Sequence, residues 1–148
     1  MEKEEMTFRY QMPAQLRFSD IDKFGHINNS VYFSLFDMCK TRYFIDVLGQ
    51  HVFDSLGIVV AHVNADFLAP IFYPDEIVLQ TKITHLGTKS FTLLQRAINT
   101  RTKEVKCECT TVMVFFDTVH NCSMEMPESF KRKIAEYEGD SSILEKQR

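Results

Sequence analysis

The amino-acid sequence predicts a single α+β domain in which a curved antiparallel sheet of five strands wraps around one long helix. Three observations point there. An apolar stretch with helical spacing runs from Val31 to Leu48. Stretches with a period of two lie on both sides of it, one before and four in succession after, joined by short turns. The chain is 148 residues long, enough for one core and few for two. A half-buried sheet must have one face covered, and that helix is the only element apolar enough to cover it.

The elements follow in order. Residues 1–6 form a polar lead-in. From Thr7 to Phe18, Phe8, Tyr10, Met12, Leu16 and Phe18 alternate with polar residues, which predicts a strand, with Pro13 marking a bulge or an edge position. Ser19 to Asn29 is rich in residues that make turns and caps, and Asn28, Asn29 or Ser30 can cap the helix that follows. In that helix Val31, Leu35, Met38, Cys39 and Ile45 share a face, Phe33, Phe36, Phe44, Val47 and Leu48 widen it, and Gly49 stops it. Eighteen residues this apolar are expected to be mostly buried. After a loop at 49–56 come strands over Ile58–Pro70, Glu76–His85, Lys89–Thr100 and Glu104–Phe116. In the first of them Val60, His62, Asn64 and Asp66 oppose Val59, Ala61, Val63, Ala65 and Phe67. The turns are Tyr73-Pro74-Asp75, Leu86-Gly87-Thr88 and Arg101-Thr102-Lys103. Pro127 opens a short helix to about Tyr137, and the polar tail 139–148 is expected to be mobile.

Composition narrows the function. A formal net charge of −3 argues against non-specific nucleic-acid binding, which needs a basic footprint. No apolar run approaches the roughly 20 residues of a membrane span, and the charged start Met1-Glu2-Lys3-Glu4-Glu5 lacks a signal-peptide pattern, so the expected location is cytoplasmic. Thirteen Phe and no Trp indicate an aromatic core, with room for an apolar tunnel. Cys39, Cys107, Cys109 and Cys122 read as reduced thiols. Cys107 and Cys109 share a strand face, but no second pair stands at metal-ligand spacing, so neither a metal nor a cofactor is expected.

The chemistry concentrates between Asp20 and Tyr32. A buried helix preceded by two aspartates, a glycine, a histidine and two asparagines combines a carboxylate with the unpaired N–H groups of a helix N-terminus. Those N–H groups can stabilise an oxyanion, and the carboxylate can attack a carbonyl or activate water. Together they describe acyl transfer to water. Asp and Asn before a helix are also ordinary caps and turn formers, and Asp20 fits that role. Asp37 lies on the buried helix, where it either pairs with Lys40 or faces a pocket, and Asp66 poses a similar choice. Tyr32 reads as packing with its hydroxyl anchored to backbone.

The stretch Arg17-Phe18-Ser19-Asp20-Ile21-Asp22-Lys23-Phe24-Gly25-His26-Ile27-Asn28-Asn29-Ser30-Val31-Tyr32 resembles the signature of the 4-hydroxybenzoyl-CoA thioesterase branch of the hotdog superfamily. That signature runs Asp-x-Asp-x-x-Gly-His-hydrophobic-Asn-Asn, then Tyr three residues on, and every position matches. Asn64-Ala65-Asp66-Phe67-Leu68-Ala69-Pro70 with Tyr73-Pro74-Asp75-Glu76, and Gly87-Thr88-Lys89-Ser90-Phe91, resemble later motifs of the family. The likeness covers roughly residues 8 to 137. One departure is Ala69, where members often carry Arg or Lys.

The resemblance implies the hotdog fold and hydrolysis of an acyl-CoA thioester without cofactor, at a site between the two subunits of a homodimer, with assembly into tetramers left open. It implies Asp22 as the essential carboxylate, His26 as a positioning group, and Asn28 and Asn29 at the helix N-terminus facing the thioester carbonyl. Lys89 and Ser90 fall where the phosphates or the pantetheine arm of coenzyme A are met, and Asp37 and Asp66 are candidates to contact substrate. The alternatives are an acyl carrier protein thioester, for which Lys131, Arg132 and Lys133 offer a small basic surface if they are more than a solvated helix face, and a non-catalytic acyl-CoA-binding module. A hotdog dehydratase is a weaker match, because no histidine lies between Val31 and Leu48.

Overall fold

The computed structural model describes residues 6–54 and 57–144. Its element order is β1 (Tyr10–Pro13), a 3-10 turn (Phe18–Asp20), α1 (Asn29–Leu48), β2 (Ile58–Phe67), β3 (Ile77–Leu86), β4 (Ser90–Asn99), β5 (Val105–Asp117), β6 (Cys122–Ser123), α2 (Glu128–Glu138) and a second 3-10 turn (Ser141–Ile143). The strands join antiparallel in the spatial order β1-β3-β4-β5-β2, and β6 pairs with the end of β5. One helix lies across one face of this sheet. This is the hotdog architecture, with one short strand more than the patterning predicted.

α1 begins two residues before the apolar stretch. Asn28 is the N-cap, its Oδ1 accepting from the Ser30 N–H, and Gly49 ends the helix at φ +111° with its N–H on the Ile45 carbonyl. Its buried face is Tyr32, Leu35, Phe36, Cys39, Tyr43 and Phe44, which recur at helical spacing. The helix, expected to be mostly buried, is buried on one face: Phe33 and Met38 stand exposed, because one face packs on the sheet and the other does not.

Two clusters fill the space beneath α1. Under its C-terminal half Phe44, Phe91, Phe115 and Phe130 meet with ring centroids 4.9 to 6.1 Å apart, joined by Ile83, Leu86, Leu93 and Ile134. Each such ring pair adds roughly 0.5–1.5 kcal/mol beyond its buried area, which is where much of the phenylalanine is used. Under the N-terminal half lie Ile27, Tyr32, Leu35, Phe36, Cys39, Ile71, Leu79, Ala97, Cys107 and Cys109. Between them Gln95 donates to the Phe36 carbonyl (2.8 Å) and to Thr81 Oγ1 (2.9 Å), tying the helix backbone to the sheet.

Several boundaries differ from the sequence pattern, each for a physical reason. The first strand shrinks to four residues at a sheet edge, where Pro13 costs no ladder bond. In β2 the register slips between Val60 and His62, a bulge that puts Val60 on the α1 side with Val63, Ala65 and Phe67, and leaves Val59 with His62, Asn64 and Asp66 on the outer face. Pro127 is the N-cap of α2 rather than its first residue. The tail is ordered through Leu144: Ile143 is buried in the core and Leu144 bridges to Leu86, while 145–148 lie outside the described residues. β2 matters most for function. It has β5 on one side and, among the described residues, no strand on the other, and Val59, Val60, Val63 and Phe67 stand exposed on it.

Candidate active site

The loop before α1 is built by its own polar side chains. Asp20 Oδ2 accepts from the Arg17 N–H at 2.9 Å and closes the 3-10 turn, so Asp20 is a turn residue. Ile21 bridges to Ile27, and the Asp22 N–H donates to the His26 carbonyl at 2.7 Å, so the chain folds back tightly. Inside that turn Asp22 Oδ1 accepts from the N–H of Phe24 (2.9 Å) and of His26 (3.2 Å). Gly25 stands at φ +83°, in the left-handed region that glycine enters without strain. The Asn28 N–H then donates to the Asp20 carbonyl at 2.9 Å, which locks the loop against the start of α1.

The two asparagines therefore differ. Asn28 uses its N–H on Asp20 and its Oδ1 on the Ser30 N–H and hydroxyl, both at 3.0 Å. The Val31 N–H goes to the Asn28 carbonyl. Among the described residues, the Asn29 N–H is a first-turn donor left without an acceptor, and it points out of the positive end of a 20-residue helix. Asp22 uses one carboxylate oxygen to hold its loop; Oδ2 takes part in none of these bonds. A half-buried carboxylate with one oxygen fixed and one available, on a loop latched to a free helix N-terminus, is an arrangement that can act on a carbonyl.

A second segment fixes this loop from the side. The Ile27 N–H donates to the Ile71 carbonyl at 2.8 Å, His26 bridges to Phe72, and the His26 and Phe72 rings meet edge to face with centroids 5.0 Å apart. Tyr32 is buried in the same cluster as Ile71, and burial pushes its hydroxyl up to about 12, so it is neutral packing. Ile71 and Phe72 escaped the sequence reading. They lie far along the chain in a loop of ordinary composition, and only the fold brings them beside His26.

The other candidates separate by place. Asp37 pairs with Lys40 at 3.0 Å. Asp66 lies on the sheet face opposite α1, directly across from Glu108, which itself pairs with Arg96 at 2.7 Å. Lys89 and Ser90 sit at the β3–β4 turn, with the Lys89 carbonyl accepting from the Phe115 N–H. That turn is at the end of the sheet beneath the C-terminus of α1, whereas Asp22, His26 and Asn29 are at the other end. Within one chain the structure thus brings together Asp22, His26, Asn28 and Asn29, and leaves Lys89 and Ser90 a sheet-length away. Arg132 and Lys133 are exposed on α2, and Lys131 approaches Glu128 at 3.8 Å. Burial pushes the Cys39, Cys107 and Cys109 thiols up; Cys122 is exposed. Among the described residues, no group of three or more His, Cys, Asp or Glu is placed to hold a metal, and no helix is long and apolar enough to cross a membrane.

This geometry has counterparts among known proteins. A thioesterase from Thermus thermophilus, solved with coenzyme A and Zn, is 26% identical, with a TM-score of 0.80 over 90% of this chain and 96% of that one. A 1,4-dihydroxy-2-naphthoyl-CoA thioesterase from Synechocystis shares the fold at a TM-score of 0.77 and 14% identity, over 85% of this chain and 95% of that one. An uncharacterized protein of Bacillus subtilis, YsmA, is 29% identical over 87 residues, a match spanning 59% of this chain and 59% of that protein. Residues 16–134, which include every element from the Asp22 loop to most of α2, match the thioesterase-like superfamily, and the chain belongs to that superfamily.

Proposed function

We propose that the protein hydrolyses acyl-CoA thioesters at a site shared by two copies of the chain. The observation that carries this reading is the Asp22 carboxylate, held through one oxygen on a loop that is latched to the start of α1, where the Asn29 N–H is free. The thioester carbonyl accepts from the Asn29 N–H. Asp22 either attacks the carbonyl carbon or takes a proton from water that attacks it. The C–S bond then breaks and coenzyme A leaves as a thiolate that is later protonated; on the water route the acid is released directly, and on the direct route water hydrolyses the acyl–Asp22 anhydride to release the acid and restore the carboxylate. His26, its ring braced by Phe72, positions substrate or water. The name of the Thermus structure, a thioesterase with coenzyme A, supports coenzyme A as the carrier.

The edge of β2 supports a second copy. An exposed strand edge with apolar side chains on both faces is unstable alone, and pairing it with another strand satisfies both the backbone and the side chains. Two-fold pairing of β2 with its copy would run antiparallel. The Phe67 end of β2, beside Tyr32 and Phe33 at the start of α1, would then meet the partner's Ile58 end, next to the partner's β3–β4 turn. Lys89 and Ser90 of the partner subunit would arrive near Asp22, where a cation suits the phosphates of coenzyme A. The sheet-length separation within one chain is what two chains remove.

The test is thiol release by purified protein on short, medium, long and aromatic acyl-CoAs beside matching acyl carrier protein thioesters. Turnover lost in Asp22→Asn supports the reading. Preference for the carrier-protein thioesters would replace coenzyme A with a carrier. Binding of acyl-CoA by a folded dimer without turnover on any thioester would overturn hydrolysis.

A further inference from the structure

We infer that the Asp37–Lys40 pair on α1 is a polar stop that limits the acyl group to short and medium chains; this rests on the acyl-CoA hydrolysis proposed above. The start of α1 shares one apolar cluster with Cys107 and Cys109 of β5, and Ala65 of β2 packs against it. Phe33 stands against Phe67 with ring centroids 6.3 Å apart, and Phe67 is opposite Cys107. The next inward-facing rung is Ala65 opposite Cys109, and Asp37 and Lys40, four and seven residues after Phe33, lie on the same face of α1 one and two turns further along, toward that rung. Beyond it come Val63 opposite Thr111 and Val60 opposite Met113. From the free Asn29 N–H onward, the strip between α1 and β2 is therefore apolar, then ionic, then apolar again. Lys40 is the unusual member. Its side chain is 12% exposed, while its partner Asp37 is 71% exposed. A nearly buried ammonium depends on that one carboxylate and on the little water that reaches it.

An acyl group whose carbonyl sits at Asn29 meets the pair at a definite length. Asp37 is eight residues further along, about 12 Å up the helix axis. An extended alkyl chain advances about 1.25 Å per carbon, from ordinary C–C lengths and angles. Chains of up to about ten carbons end before the pair. Longer ones must slide across it and strip water from Lys40, with methylenes that offer no hydrogen bond in exchange. Truncating both charges together leaves no unpaired ion and removes the barrier.

The experiment is a kcat/KM profile over saturated acyl-CoAs from butanoyl to hexadecanoyl, for the wild type and for the double variant Asp37→Leu/Lys40→Met, with melting temperature and oligomeric state measured alongside. The wild type is expected to fall about tenfold or more between decanoyl- and tetradecanoyl-CoA, and the double variant to carry its activity on to hexadecanoyl-CoA. Should that variant fail to fold, the near-isosteric Asp37→Asn/Lys40→Gln removes the charges at similar volume and is expected to soften the same cut-off. A flat wild-type profile, or a folded, active variant with an unchanged cut-off, overturns the polar stop while leaving hydrolysis standing. Absence of turnover at every chain length overturns the hydrolysis reading, and the stop with it.

Discussion

Asp22 has two roles that substitution can separate. Its Oδ1 holds the loop through two backbone N–H groups, at 2.9 and 3.2 Å, and its carboxylate is the proposed reacting group. Asp22→Asn keeps a carbonyl oxygen that can accept both bonds, so stability should stay within about 0.5 kcal/mol of wild type. Asp22→Ala loses both bonds. At about 1 kcal/mol each for partly exposed groups, the loss is about 2 kcal/mol, or a Tm lower by roughly 4–8 °C for a chain of this size. Activity follows a different order. Both variants lack the carboxylate, so both should lose about 100- to 10,000-fold in kcat, the range removed with a positioned base. Thermal unfolding and thiol release on the same preparations make the comparison. An Asp22→Asn protein with near-normal turnover would refute the chemical role. Equal melting temperatures for the Asn and Ala variants would refute the loop-holding role.

Other outcomes test the frame around the site. Glu138, buried at the end of α2, accepts from the Tyr43 hydroxyl (2.6 Å) and the Ile83 N–H (3.2 Å). Glu138→Leu strands both donors and should cost about 2–4 kcal/mol, with Tyr43→Phe in the same background recovering part; an unchanged Tm would show that the clasp contributes nothing. Val63→Lys puts a charge on the exposed edge strand and should give a monomer by light scattering with no turnover, whereas an active dimer would rule out pairing through β2. Desolvation, then the neighbouring Cys109, Asp66 and Glu108, push the Cys107 thiol up to about 12 from an ordinary 9.0. The native state thus keeps a proton that the unfolded chain releases above pH 9.0, so this stabilisation is complete below that pH and is lost as pH rises toward 12. Urea unfolding between about pH 8 and 10.5 should show stability falling by up to about 1.4 kcal/mol per pH unit for each such thiol, and Cys107→Ser should flatten the slope.

Much of the fold is legible in the chain because its signals are local. The α1 stripe, Asn28 before it and Gly49 after it fall within a few residues of one another, and period-two alternation marks β3, β4 and β5 almost to their ends. Where reading failed, the deciding interaction was distant or positional. Alternation through β2 cannot reveal the bulge at Ala61, because a slip of one residue depends on how β5 pairs with it. Met38 and Phe33 look like core by composition, and only the direction from which the sheet meets α1 leaves them outside. In the site, Asp22, His26, Asn28 and Asn29 lie within eight residues and are readable as a group, whereas Ile71 and Phe72 carry no signal of their own.

Sequence alone determined the helix, the strands that flank it and the dense polar loop between them, since periodicity, caps and turn residues act over a few positions. Tertiary structure alone decided which asparagine keeps a free N–H, which Asp22 oxygen is left available, and that Lys40 is nearly buried beside an exposed Asp37. It also decided that β2 ends up as an open edge. These depend on hydrogen-bond partners and burial, which exist only once segments far apart in the chain have packed together.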